Sequence, residues 1–396
     1  MDSAAPELYL KDLSINMGSG NGYHTLMGQS MAAGSAAPKL VLDNANATFN
    51  GLNIGHSKAS GNSDVVHPVL AVTNGKLNVT WQFQIPNAVG GIEPIVRVGA
   101  GGILALDTST ASGSFSFYNK VDARIEDGGQ IYVSGPQNLY FGGSASGELV
   151  FARGGGMKVC RFLARNSSNK AEVILDGGYA QFLKNGGISS ADYPAKSGIR
   201  AEAGGGELIV ASGVSHALAI PLYGGKFTKT GAGTLVITND VKISSQSSGV
   251  PTYTPVAAAT VMVSNTGGVE VAQGTLRCVA GTTDANSRFS GVGTLSGEFT
   301  EFFLDVAPGA TDALTFSNLT ATKVTVDFGR MPGETFNWRD APTAVVAKVA
   351  TQADFNAIQW RSVNRGDGMT VDIRYDSANG LAVAYFRPSG CMMFFK

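Results

Sequence analysis

Residues 226–238 read Lys-Phe-Thr-Lys-Thr-Gly-Ala-Gly-Thr-Leu-Val-Ile-Thr, and their pattern recurs along most of the chain. The unit is a glycine with apolar residues at the second and fourth positions after it. Aligned on that glycine, the copies are Gly75 (Leu77, Val79), Gly102 (Leu104, Leu106), Gly129 (Ile131, Val133) and Gly155 (Met157, Val159). They continue with Gly178 (Ala180, Phe182), Gly206 (Leu208, Val210), Gly233 (Leu235, Ile237) and Gly274 (Leu276, Cys278). The steps between them are 27, 27, 26, 23, 28, 27 and 41 residues, so the last is one period plus an insertion. A fixed period in this range marks a repeat array. Period-two apolar alternation within each copy makes the repeating element a strand. Glycine fits where a chain turns sharply or stacked backbones come close. Each period therefore reads as one coil of a β-solenoid.

Three pieces carry a family resemblance: Lys-Thr-Gly-Ala-Gly-Thr-Leu-Val-Ile-Thr at 229–238, Thr-Tyr-Thr at 252–254 and Val-Glu-Val-Ala-Gln-Gly-Thr-Leu at 269–276. Together they resemble the autotransporter-associated β-strand repeat of bacterial passenger domains. Weaker echoes extend over residues 67–297. The stretch 243–259 departs from the family pattern, being Ser/Pro/Ala-rich with Pro255 where glycine is expected. The resemblance implies an all-β, right-handed parallel β-helix at the bacterial cell surface or outside the cell. It brings no catalytic residues with it.

Composition fits a turn-rich, strand-rich chain. Of 396 residues 52 are glycine, and only 15% are charged against 43% hydrophobic. Net charge is −1, without the basic excess that nucleic acid or an anionic membrane calls for. Cys160, Cys278 and Cys391 lie far apart with no metal spacing, and Cys278 occupies an apolar slot of its repeat, so a core role is read for it. Residues 1–35 lack a basic segment followed by an apolar stretch, and nowhere does an apolar run reach a helical membrane span. Export would therefore proceed without a signal peptide visible in this sequence.

The chain divides into an N-terminal cap (1–36), β-solenoid repeats (37–297) and a C-terminal β-rich cap (298–396), with one short helix expected near 351–361. The last part is too short for the membrane barrel that autotransporters use. Some ten coils at the inter-strand spacing would make a rod of about 50 Å. Each coil burying several aliphatic side chains gains on the order of 10 kcal/mol before ordering entropy, so coils are stable only when stacked. Two loops, 185–196 and 243–259, break the period and are the expected places for binding.

Parallel β-helices also host polysaccharide lyases and hydrolases, which need convergent carboxylates or a base with clustered acids. The acids here are scattered: Asp107, Glu126, Asp127, Glu148, Asp176, Glu202 and Glu207. Glu126, Asp176 and Glu202 precede comparable glycine turns and would share one edge, where solvated turn residues are the simpler account. His24, His56, His67 and His216 stand apart, so no metal is expected. Lys158, Arg161, Arg165 and Lys170 form a local basic cluster, read as a solvated face. Trp81, Tyr118, Tyr132 and Tyr140 could stack on a sugar but more simply cover the core. The resulting expectation is a non-enzymatic surface passenger or stalk with no cofactor. Its partner would be a host or environmental glycan or a surface protein, met through loops. A carbohydrate-active enzyme and a trimeric phage-type fibre are the alternatives.

Overall fold

The computed structural model describes residues 7–16, 23–27, 38–54, 67–85, 94–106, 114–117, 121–141, 147–151, 154–164, 171–187, 198–238, 263, 267–307, 309–329, 342–364 and 369–389. The fold is nearly all β, 65% strand, with mostly parallel strands in large sheets. The first sheet has nine strands in sequence order: Glu7–Lys11, Lys39–Asp43, Val69–Thr73, Ile95–Gly99, Asp122–Ile125, Gly147–Phe151, Ala171–Leu175, Gly198–Ala201 and Leu222–Gly224. Every neighbouring pair is parallel. Their register aligns Leu40, Leu70, Val96, Ala123, Val173, Ile199 and Leu222 in one buried row. The alternation of buried and half-exposed positions (Val69–Thr73, Ile95–Gly99) is that of a sheet with one face on a core.

The larger sheet contains two further columns of parallel strands. One column starts at Ser14–Asn16 and takes in residues 46–49, 76–79, Ile103–Leu106, 130–133, 156–159, Gly178–Phe182, Gly206–Val210, Phe227–Thr230, Val269–Val271 and Arg288–Gly291. Leu77, Leu104, Ile131, Met157, Ala180 and Leu208 stack along its buried face. The other column includes Ser215–Leu218, Thr234–Ile237, Thr275–Cys278 and the starts of Thr294–Asp305 and Thr315–Asp327. Long strands such as Asn46–Ile54 and Gln130–Phe141 serve both columns by bending, with register shifts at Phe49/Gly51 and Val133/Asn138.

The register differs from the glycine alignment at its C-terminal end. Gly75, Gly102, Gly129, Gly155, Gly178 and Gly206 head successive strands of one column, but Gly206 pairs with Phe227, and Leu208 with Lys229 rather than Leu235. Leu235 and Leu276 pair with each other, beside His216, in the other column. The 27-residue step from Gly206 to Gly233 thus spans more than one circuit of pairing, which here takes only the 21 residues from Leu208 to Lys229. Glycine followed by an alternating strand marks any tight corner, so the motif cannot distinguish one corner from the next.

Thr294–Asp305 pairs in parallel with Thr315–Asp327, whose two ends then pair in parallel with Lys348 and Val349 and with Gln359–Val363. Antiparallel pairing enters where Thr343–Val349 meets Leu381–Pro388, which in turn pairs with Met369–Asp376. The expected helix is shorter than its sequence window: Gln352–Asn356, capped by Thr351, whose hydroxyl accepts from the Asp354 N–H at 3.1 Å. Among the described residues one large apolar cluster runs from Leu10 to Phe386, beside a small second one of Ala217, Ala219 and Val236. No helix among the described residues is long and apolar enough to cross a membrane.

Candidate functional site

The corner between the first sheet and the Gly75 column stacks turn on turn, and backbone geometry explains its composition. Asn74, Ala100 and Asp127 hold left-handed φ of 47°, 42° and 52°, while Gly128 and Gly205 stand at 81° and 74°. Amides of one turn bond carbonyls of the next: Asn44 N–H to Thr73 O at 3.0 Å, Asn74 to Ala100 at 3.0 Å, Gly177 to Gly205 at 2.8 Å. The repeat glycines lie against the preceding turn so closely that a Cβ at Gly102, Gly129 or Gly155 would fall 2.2, 2.1 or 2.0 Å from a backbone carbonyl oxygen. Gly129→Ala should therefore cost about 3 kcal/mol or more, because backbone must move. Gly213→Ala, with φ +74° but nothing within 4 Å, should cost only about 1 kcal/mol. Chemical denaturation of both variants checks the contrast.

Carboxylates decorate this corner. Ile125, Leu175 and Ala201 share a row, so Glu126, Asp176 and Glu202, each next in sequence, fall in one turn column. Asp176 accepts the Gly204 N–H at 2.9 Å. Glu202 pairs with Arg200, whose Nε lies 3.5 Å from the fully buried Glu172. Beside them an open groove of about 380 Å³ runs along Gly177, Gly204, Glu207, Lys226 and Thr228. Glu207 accepts from the Thr230 hydroxyl at 2.5 Å, and Lys226 pairs with Glu270. Asp176, Glu202, Glu207 and Lys226 are thus spent on a backbone amide, a hydroxyl and opposite charges, an arrangement that fixes turns and leaves a shallow polar surface. Among the described residues no three metal-ligating side chains cluster.

Other sequence candidates do not converge. Asp107, His56, Tyr118, Arg165, Lys170, Cys391, residues 188–196 of one loop and the whole of 243–259 lie outside the described residues, and Glu148, His24, Tyr140, Cys160 and Arg161 are described in backbone alone. Trp81, Tyr132 and Lys158 are half-buried and His67 is exposed. Cys278 is buried and free, and burial pushes its thiol up. His216 is fully buried, stacked on Phe182 with centroids 4.1 Å apart.

Two polar centres lie outside the functional candidates drawn from the sequence. Lys229 occupies an inward position between Leu208 and Val271, fully buried. Its ammonium donates to the carbonyls of Gly231 (2.6 Å), Gly233 (2.7 Å) and Gln273 (2.9 Å), tying the Gly231–Gly233 turn to the turn of the neighbouring strand. Two signals for this stand in the sequence: Lys229 shares its face with Phe227, and it heads the repeat stretch 229–238. Burial lowers the Lys229 ammonium to about 8 from 10.5. The unfolded chain therefore holds more protons between these values, and stability should rise with pH across about 8 to 10.5, by about 3 kcal/mol at most. Subtracting the profile of Lys229→Met from that of the natural chain isolates this slope.

The second centre joins three strands. Arg288 donates to Asp305 (2.5 and 3.2 Å) and to Asp327, and its guanidinium sits 4.4 Å from the Phe303 ring centroid. Asp327 also accepts from the Gly329 N–H (3.0 Å) and the Asn364 amide (2.8 Å). Asp305 and Asp327 are ladder neighbours, so the arginine neutralises two stacked carboxylates.

Comparison with family models, with curated proteins and with solved structures finds no match to this chain.

Proposed function

We propose that the chain is a right-handed parallel β-helix acting as a non-enzymatic stalk or passenger displayed outside a bacterial cell, one that meets glycans or surface proteins through its loops. The observation that carries this reading is the nine-strand parallel ladder, in which each circuit of chain pairs with the next, with a buried apolar row from Leu40 to Leu222 among the described side chains. A repeating ladder extends by adding circuits, which suits a spacer. The described turn carboxylates support the non-enzymatic part, since Asp176, Glu202 and Glu207 are each engaged by a backbone amide, an arginine or a hydroxyl. The handedness and the cell-surface setting rest on the resemblance to autotransporter-associated repeats. The test is the purified chain on a glycan array and a polysaccharide-degradation panel. Binding without product, or neither, fits a stalk; release of oligosaccharide contradicts it and returns attention to the acids of the turn column.

A further inference from the structure

The two ends of the sheets are finished differently. Towards the C-terminus of the larger sheet, Thr343–Val349 is followed by the antiparallel pair Leu381–Pro388 and Met369–Asp376, and the outermost of these carries Asp372, Arg374 and Asp376. Charges on an outer strand discourage further pairing. Among the described residues the nine-strand sheet itself begins at Glu7–Lys11, paired on one side with Lys39–Asp43. There Leu8 is 43% and Tyr9 51% exposed, although Leu8 heads the same row as the fully buried Leu70.

The sequence of this strand, Glu-Leu-Tyr-Leu-Lys, reads as its own complement when reversed. We infer that Glu7–Lys11 pairs antiparallel with the same strand of a second copy of the chain, about a two-fold axis at Tyr9, making a head-to-head dimer. Glu7 then opposes Lys11 of the second copy, Leu8 opposes Leu10, and Tyr9 opposes Tyr9. Opposed residues in an antiparallel pair lie on one face, so both charge pairs form on the outer side and the leucines continue the core row from one copy into the other. Backbone parity agrees. The Asp12 N–H bonds the Asp43 carbonyl at 3.3 Å, which turns the even-numbered peptide groups towards Lys39–Asp43. The N–H and C=O of Glu7, Tyr9 and Lys11 are left facing the open edge. These are the positions that a two-fold axis at Tyr9 makes hydrogen-bonded pairs. An isologous contact of this kind closes on itself and stops at the dimer. Lys39 already sits 3.8 Å from Glu7, so in the dimer the carboxylate lies between two ammonium groups.

The test is light scattering and sedimentation of the full-length chain with charge variants at these exposed positions, folding being checked by circular dichroism. The natural chain should dimerise. Glu7→Lys alone, or Lys11→Glu alone, sets like charges opposite each other twice per dimer and should weaken association by on the order of tenfold. The double variant Glu7→Lys/Lys11→Glu should restore it. Tyr9→Cys should form an intermolecular disulfide under mild oxidation beyond the background of the natural chain. Lys11→Cys should not, its counterparts lying about 14 Å apart. A monomer at all concentrations, an oligomer larger than a dimer, a double variant no better than the singles, or equal cross-linking of both cysteine variants would each overturn the inference. None of these outcomes depends on whether the chain turns over a polysaccharide.

Discussion

Leu208→Asp should leave a chain that does not fold cooperatively, and Leu235→Asp should do the same. Both leucines are fully buried, each with apolar partners along its column: Ala180 beside Leu208, and Leu276 beside Leu235. The substitution removes the transfer free energy of a leucine and buries a carboxylate away from water; the basic ladder neighbours, Lys229 beside Leu208 and His216 beside Leu235, offset only part of a combined loss of about 5 kcal/mol. That is comparable to the whole stability of an ordinary domain. Val292→Asp is the control. Val292 is 48% exposed in the loop before Thr294–Asp305, and the same chemistry there should change stability by no more than about 0.5 kcal/mol. Far-ultraviolet circular dichroism and urea titration of the three variants decide the matter. A cooperative transition in Leu208→Asp at the natural midpoint would mean that this row does not face the core.

Arg288→Ala should be the most damaging polar substitution, costing about 3–5 kcal/mol. Asp305 and Asp327 are adjacent in the ladder, with side chains only 13% and 5% exposed, and the arginine is the cation that separates them. Its loss leaves two carboxylates facing each other with little access to water. Burial alone would raise the Asp327 carboxyl. Hydrogen bonds from Asn364 and the Gly329 N–H, with the charge of Arg288, outweigh it and hold the group below the usual carboxylate range. A depressed carboxylate adds stability above its unfolded pKa, near 3.9, and loses it as pH falls through the lower folded value. The natural chain should therefore weaken below about pH 4. Arg288→Ala should lose much of this acid dependence, since protonation there relieves repulsion. Matched urea titrations at pH 3 and pH 7 read both effects.

Much of this architecture is legible in the sequence because its two strongest signals are local. Alternating Leu77/Val79, Leu104/Leu106 and Ile131/Val133 can only be strands, and the glycines before them sit where a Cβ would strike a neighbouring carbonyl. The parallel register of six consecutive glycine copies follows from their similar spacing, 23 to 28 residues. Legibility fails where circuits change length. From Leu208 onward the circuits take 21, 42 and 20 residues, and a glycine of one corner comes to lie one period from a glycine of another. Lys229, His216 and the Arg288 cluster were not legible, for a related reason. Each owes its place to partners brought in from other circuits: the carbonyl of Gln273, the ring of Phe182, the carboxylates of Asp305 and Asp327. A buried lysine looks like a surface lysine until the carbonyls around it are known. The turn acids show the opposite case, since their common column follows from the period while their engagement with amides and arginine does not.

The most direct test of the stacked-circuit account is pulsed electron spin resonance between labels on the outward row of the Gly75 column, with the native cysteines replaced by alanine. Asn46, Tyr179, Thr228 and Ser290 share that row, and the pairing register sets five, seven and nine ladder steps from Asn46 to the other three. At the inter-strand spacing the distances should be about 24, 34 and 43 Å, so that the 62 residues between Thr228 and Ser290 add only about 10 Å. Distances that grow evenly with ladder step, whatever the number of residues between, are what stacked parallel circuits require. Distances that follow sequence separation, or that fail to lengthen from Tyr179 to Ser290, would contradict the account.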